Sequence, residues 1–103
     1  MKNYYYNYLD KVYSWQFRNE VKRLPLGQIN YHKKNFSKYF KENINDFKRL
    51  NILETGAGPG VHATILCLMN ANVTAADILR SNIKKILRLK KIYKFDNLKV
   101  KQH

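Results

Sequence analysis

Little in this chain stiffens or cross-links it. Cys67 is the single cysteine, which excludes an internal disulfide and a cysteine metal cluster. No apolar run approaches the ~20 residues that a membrane span needs. The start, Met1-Lys2-Asn3-Tyr4-Tyr5-Tyr6, has no apolar stretch of the kind a secretory signal carries, so a cytoplasmic protein with no membrane partner is the expectation. At 103 residues the chain makes one domain at most, with a thin core. Prolines number 2 and glycines 4, and three of those glycines crowd into positions 56 to 60.

Acidic residues are scarce too. Against 7 Asp and Glu stand 20 Lys and Arg, a formal charge of +13. Such an excess fits an anionic partner such as RNA, DNA or an acidic membrane surface. It equally fits AT-rich codons, because lysine far outnumbers arginine and Asn, Ile, Tyr and Phe are abundant alongside. Phosphate and base recognition favours arginine forks, and the arginines here are scattered. Codon bias is the preferred account, and nucleic acid is not the favoured partner.

Two patterns divide the chain at residue 50. In the first part, Leu9, Tyr13, Phe17 and Val21 recur at four-residue spacing, one face of an amphipathic helix that Pro25-Leu26-Gly27 should end. A second helical pattern places Phe36, Phe40, Ile44 and Phe47 on one side. Residues 1–50 are thus expected to form an N-terminal annex of two helices. Its Tyr-rich start fits a lid over a site or plain core packing, and packing is preferred. From residue 51 to 103, short apolar runs alternate with turns and helices, as in a parallel α/β sheet. Ile52–Thr55 reads as a first strand, Val61–Ala71 as a buried helix, and Val73–Asp77 as a second strand. A third helix follows, carrying Leu79, Ile83, Ile86 and Tyr93 toward the core, and then a short strand over Leu98–Lys101.

The chemistry concentrates between the first two strands. Glycines at 56, 58 and 60 let the backbone bend sharply off the strand and let a ligand approach without a Cβ in its way. Asp77 ends the neighbouring strand, where open α/β sheets bind ligands and where a carboxylate can accept two hydrogen bonds from a ribose diol. Glu54 adds a carboxylate beside the turn. A dinucleotide fingerprint would need glycine where Val61 stands, and its pyrophosphate would meet Glu54 at close range. A sulfonium cofactor carries positive charge instead, so S-adenosyl-L-methionine is preferred over a nicotinamide dinucleotide.

The run Glu54-Thr55-Gly56-Ala57-Gly58-Pro59-Gly60 resembles the first motif of the class I S-adenosylmethionine-dependent methyltransferases, an acid followed by GxGxG at the end of the first strand. In that resemblance Asp77 matches the acid that binds the cofactor ribose, and Ile78 stands where the family often packs an apolar side chain on adenine. The resemblance covers residues 51 to about 101. It implies a Rossmann-like fold, here a partial three-stranded parallel sheet preceded by two helices, and methyl transfer to an acceptor the sequence does not identify. The expected cofactor site is Glu54, Gly56, Gly58, Gly60, Asp77 and Ile78.

The family's sheet has seven strands, and the fourth strand and the loop after it, which shape the acceptor pocket, have no counterpart before His103. No catalytic residue carries over. A truncated reading frame is the preferred account. The alternatives are a partner chain or self-association covering the open edge of strand one. A non-catalytic basic module that contacts RNA or a protein partner is the other functional reading. His62 is read as a packing or capping residue and Cys67 as a buried inert thiol. His32 and His103 match no metal spacing, and Arg80, Lys84, Arg88 and Lys91 are read as a solvated helix face.

Overall fold

The computed structural model describes residues 23–103, so the expected Tyr-rich first helix lies outside the described residues. Helix α1 spans Leu26–Phe40. A 3-10 turn over Phe47–Arg49 leads into strand β1, Asn51–Thr55. Helix α2 (Val61–Leu68), strand β2 (Asn72–Asp77), helix α3 (Arg80–Tyr93) and strand β3 (Leu98–Gln102) follow in order. The sheet order is β1-β2-β3 and both pairings are parallel.

Pro25-Leu26-Gly27 opens α1: Pro25 is its N-cap, and the carbonyl of Pro25 accepts from Ile29 N–H at 3.1 Å. Proline is tolerated at a helix start because the N–H it lacks would have no intrahelical acceptor there. The helix stops at Phe40, short of Ile44 and Phe47. Lys41 turns left-handed at φ 54°, and Glu42 N–H reaches back to Ser37 O at 3.1 Å, which satisfies the last carbonyls. Asn43 Oδ1 then accepts from Asn45 N–H at 3.0 Å, a local turn that competes with helix continuation. The four-residue spacing therefore outruns the helix. Phe47 is nonetheless fully buried, carried inward by the 3-10 turn.

Register explains why one face of the sheet is covered. Ile52, Val73 and Leu98 lie side by side across the strands, as do Glu54, Ala75 and Val100. These point toward the helices, where Phe47, Ile65, Ile86 and Leu98 are the largest fully buried apolar side chains. Ile29 and Phe47 belong to the same buried cluster as Ile65 and Val73, so the annex shares its core with the sheet. The opposite face carries Asn51, Leu53, Thr55, Thr74, Lys99 and Lys101, and Leu53 there is 66% exposed. That row is polar except for Leu53 and the buried Ala76, which stands beside Thr55 and Lys101.

Helix α2 is buried nearly all round, through Ala63, Thr64, Ile65, Leu66 and Cys67. It ends at Leu68, earlier than its apolar run predicted. Asn97 bridges this end: its Nδ2 donates to Cys67 O at 3.0 Å and to Ala71 O at 2.7 Å, tying the helix exit to the start of β3. In α3, Leu79 at the N-cap and Ile86 are buried as expected, and Leu89 joins them, while Ile83 and Tyr93 are only half-buried. Arg80, Lys84, Arg88 and Lys91 are all exposed. No helix among the described residues is long and apolar enough to cross a membrane.

Candidate functional site

The parallel pairing of β1 with β2 sets Thr55 beside Ala76, so the glycine turn leaves the sheet next to the strand end that carries Asp77. The two meet directly. Asp77 Oδ2 accepts from Gly58 N–H at 2.8 Å, and Oδ1 accepts from Leu79 N–H at 2.8 Å and from Asn82 Nδ2 at 3.2 Å. Asp77 is only 6% exposed. Its carboxylate is thus the joint that fixes the turn against the end of β2 and the start of α3.

The three glycines of the turn serve different ends. All have positive φ, at 61°, 61° and 92° for Gly56, Gly58 and Gly60. A Cβ built on Gly56 or Gly58 would meet nothing within 4 Å, so the backbone there is bare toward open space. Gly60 is buried: a Cβ on it would fall 2.8 Å from Ile86 Cγ1. Gly60 lets α2 and α3 approach, whereas Gly56 and Gly58 present main chain outward. Ile78, just past Asp77, is 47% exposed beside this opening.

Glu54 lies on the helix-facing side of β1. Burial, and then the Asp77 carboxylate, push its pKa up to about 7. One of its oxygens, Oε1, is buried with no hydrogen-bond partner among the described residues. The other is 3.8 Å from His62 Nδ1. Burial, and then His32, lower the pKa of His62. The raised acid and the lowered base both work against an ion pair between them. His62 stands in an aromatic cluster, its ring centroid 4.9 Å from His32 and 5.4 Å from Phe36. Between α1 and β1 this cluster bounds a groove of about 660 Å³, lined also by Tyr31, Tyr39 and Glu54.

The Glu54 shift has a consequence for stability. The folded state binds this proton more tightly than the unfolded state, so the favourable contribution is complete below the unfolded value of 4.5 and is lost as pH rises to about 7. With the side chain 20% exposed, the loss is expected to be about 2 kcal/mol. Urea titrations at pH 4.5, 6 and 8 on wild type and Glu54→Gln check it. The difference in stability between the two should move in favour of the variant as pH rises, and a constant difference would refute the burial argument.

Curated relatives match part of the chain. The ubiquinone biosynthesis O-methyltransferase of Rickettsia prowazekii is 48% identical over 44 residues, 43% of this chain and 18% of that protein. The enzymes of the same description from Rickettsia canadensis and Rickettsia conorii are 50% identical over 42 residues and 43% identical over 53 residues. Over this stretch the chain is similar to these methyltransferases. The matched stretch spans 18% of the length of each of these relatives. A solved structure of the bifunctional kinase-methyltransferase WbdD aligns with a TM-score of 0.47 and 19% identity over 76% of this chain and 16% of that one. No protein-family model matches the chain.

Of the residues expected at a methyltransferase cofactor site, the structure bonds Gly58 to Asp77, leaves Gly56 and Gly58 bare and Ile78 half-exposed, sets Glu54 on the helix-facing side of β1, and turns Gly60 into the core. Asn82 went unnoticed in the sequence. It stands five residues after Asp77, within the first turn of α3, a spacing from which its side chain can reach back to the carboxylate. The groove residues Tyr31, His32 and Tyr39 were also missed. They lie some twenty residues before Glu54, and only the packing of α1 beside β1 assembles them. Cys67 fits its assignment: it is buried, and burial pushes its thiol up to about 12. Among the described residues no group of three metal-ligating side chains is gathered.

Proposed function

We propose that residues 51–103 are the cofactor-binding part of a methyltransferase, and that the opening over Gly56 and Gly58 takes S-adenosyl-L-methionine. The observation that carries this reading is the 2.8 Å contact between Gly58 N–H and Asp77 Oδ2, which joins the bare turn to the carboxylate at the neighbouring strand end. The methionine portion would lie along the turn, near the Glu54 carboxyl. A positive sulfonium and α-amino group beside that buried acid, one oxygen of which has no partner, would supply it a counter-charge. The ribose would lie toward Asp77 and the adenine toward Ile78. The cofactor supplies an activated methyl group for direct transfer to a nucleophilic N, O or C atom, and the chain's own contribution is position. The names of the relatives support an O-methyl acceptor.

Isothermal titration with S-adenosyl-L-methionine tests the reading. Saturable heat is expected for the full chain. In Gly56→Ala, whose added methyl meets no protein atom and projects into the opening, affinity should fall at least about tenfold, or about 1.4 kcal/mol, with the fold intact. Absence of heat with the folded chain, or unchanged affinity in the variant, would overturn it.

A further inference from the structure

An ionised carboxylate offers about four lone-pair directions to hydrogen-bond donors, two on each oxygen. The protein already fills three of them on Asp77. Oδ1 accepts from Leu79 N–H at 2.8 Å and from Asn82 Nδ2 at 3.2 Å, and Oδ2 accepts from Gly58 N–H at 2.8 Å. At most one direction is left, and it lies on Oδ2. The two bonds to Oδ1 are buried, whereas the bond from Gly58 is only partly so, and Gly58 has open space where a side chain would stand. Oδ2 is therefore the oxygen on the side of the bare turn.

Each of the three donors is held in place by the surrounding fold. Leu79 N–H stands two residues on from the carboxylate, the local closure that aspartate makes at a turn, and Leu79 is the buried N-cap of α3. Asn82 is 5% exposed, and its Oδ1 is buried without a hydrogen-bond partner. Turning that amide over would set its oxygen against a carboxylate oxygen, so Nδ2 stays on Asp77 even though an acceptor is left orphaned. The peptide that carries Gly58 N–H is fixed at its other end, where Ala57 O accepts from Gly60 N–H at 3.3 Å. Just before it, Ala57 N–H donates to Ala76 O at 3.0 Å, which ties the turn to β2.

We propose that Asp77 takes a single hydrogen bond from the cofactor, given to Oδ2 by one of the two ribose hydroxyls, and that the other hydroxyl has no acceptor on this carboxylate. This rests on the cofactor reading above and deepens it. A carboxylate that binds a diol through two bonds needs both hydroxyls; one with a single direction to spare needs only one. Recognition of the sugar is accordingly asymmetric. The site accepts a nucleoside that lacks the distant hydroxyl and discriminates against one that lacks the hydroxyl facing Asp77.

Calorimetric titration of the full chain with S-adenosyl-L-methionine and with its 2′-deoxy and 3′-deoxy analogues tests the asymmetry. One analogue should bind within about threefold of the parent and the other at least about tenfold more weakly. The Gly58 amide, followed by hydrogen exchange, should stay as slow with the cofactor bound as without it. Losses of tenfold or more for both analogues, or faster exchange at Gly58 on binding, would overturn the proposal, because the diol would then have displaced the turn from Oδ2. Binding of all three compounds with the same affinity would overturn it too, since no hydroxyl would be meeting Asp77. If none of the three binds to the folded chain, the cofactor reading itself fails and the ribose contact with it, whereas binding of the parent sustains that reading whichever way the analogues fall.

Discussion

Asp77→Ala is expected to destabilise the protein by about 3–5 kcal/mol, the largest effect of any single substitution near the turn. Three donors lose their acceptor at once: Gly58 N–H, Leu79 N–H and the Asn82 amide. Hydrogen bonds to a charged group contribute roughly 1.5–3 kcal/mol each, and a buried donor left without a partner costs its full desolvation. The sum falls short of three independent losses because the donors share one carboxylate and Gly58 can recover water. For a domain of this size such a loss is a large fraction of the total stability. Asp77→Asn separates the causes. It keeps the shape and one acceptor oxygen for Leu79 N–H, but turns an NH₂ group toward Gly58 N–H, so an intermediate loss is expected. Urea midpoints for the three proteins check the order. Equal stability of wild type and Asp77→Ala would show that the carboxylate does not hold the turn.

Gly60→Ala should cost about 2–4 kcal/mol, clearly more than Gly56→Ala at about 1–2 kcal/mol. Both positions require a positive φ, which penalises any Cβ by roughly 1–2 kcal/mol. The difference between them is contact. At Gly60 the new methyl falls 2.8 Å from Ile86 Cγ1 and 3.4 Å from Leu89 Cδ1. Ile86 is 1% exposed and cannot swing away, so α3 must shift relative to α2, and overpacking of that kind costs about 1–3 kcal/mol. At Gly56 the methyl meets nothing within 4 Å. The pair therefore distinguishes a glycine kept for helix packing from one kept bare for a ligand. Thermal midpoints read the stability order, and cofactor titration reads the reverse order for binding. Equal thermal shifts would mean that Ile86 relaxes without cost.

The two substitutions also bear on how the turn acts. Asp77 is bonded to the turn before any ligand arrives, so the ribose of the proposed cofactor would meet a carboxylate already oriented by Leu79 N–H and Asn82. Preorganisation of this kind reduces what binding must spend on ordering.

Much of this architecture was legible in the residues. The short run at 52–55, the glycines at 56, 58 and 60, and the carboxylate at 77 determined a strand, a sharp bend and a second parallel strand, because backbone sterics and burial on a pleated sheet act over a few residues. The three-stranded parallel arrangement and the buried helix between the first two strands followed from the same local rules. Spacing overshot where a local competitor intervened. The repeat Phe36, Phe40, Ile44, Phe47 continued past a helix that the left-handed Lys41 and the Asn43 turn had already closed.

What the tertiary structure alone decided depends on contacts between residues far apart in the chain. It separated Gly60 from Gly56 and Gly58, since only the arrival of α3 places Ile86 against one of three similar glycines. It gave Asp77 its bond to Gly58 across nineteen residues, and it set Glu54 beside His62 beneath the aromatics of α1. Desolvation is a property of the assembled surroundings, so the rise of the Glu54 pKa to about 7 could not be read from any local pattern.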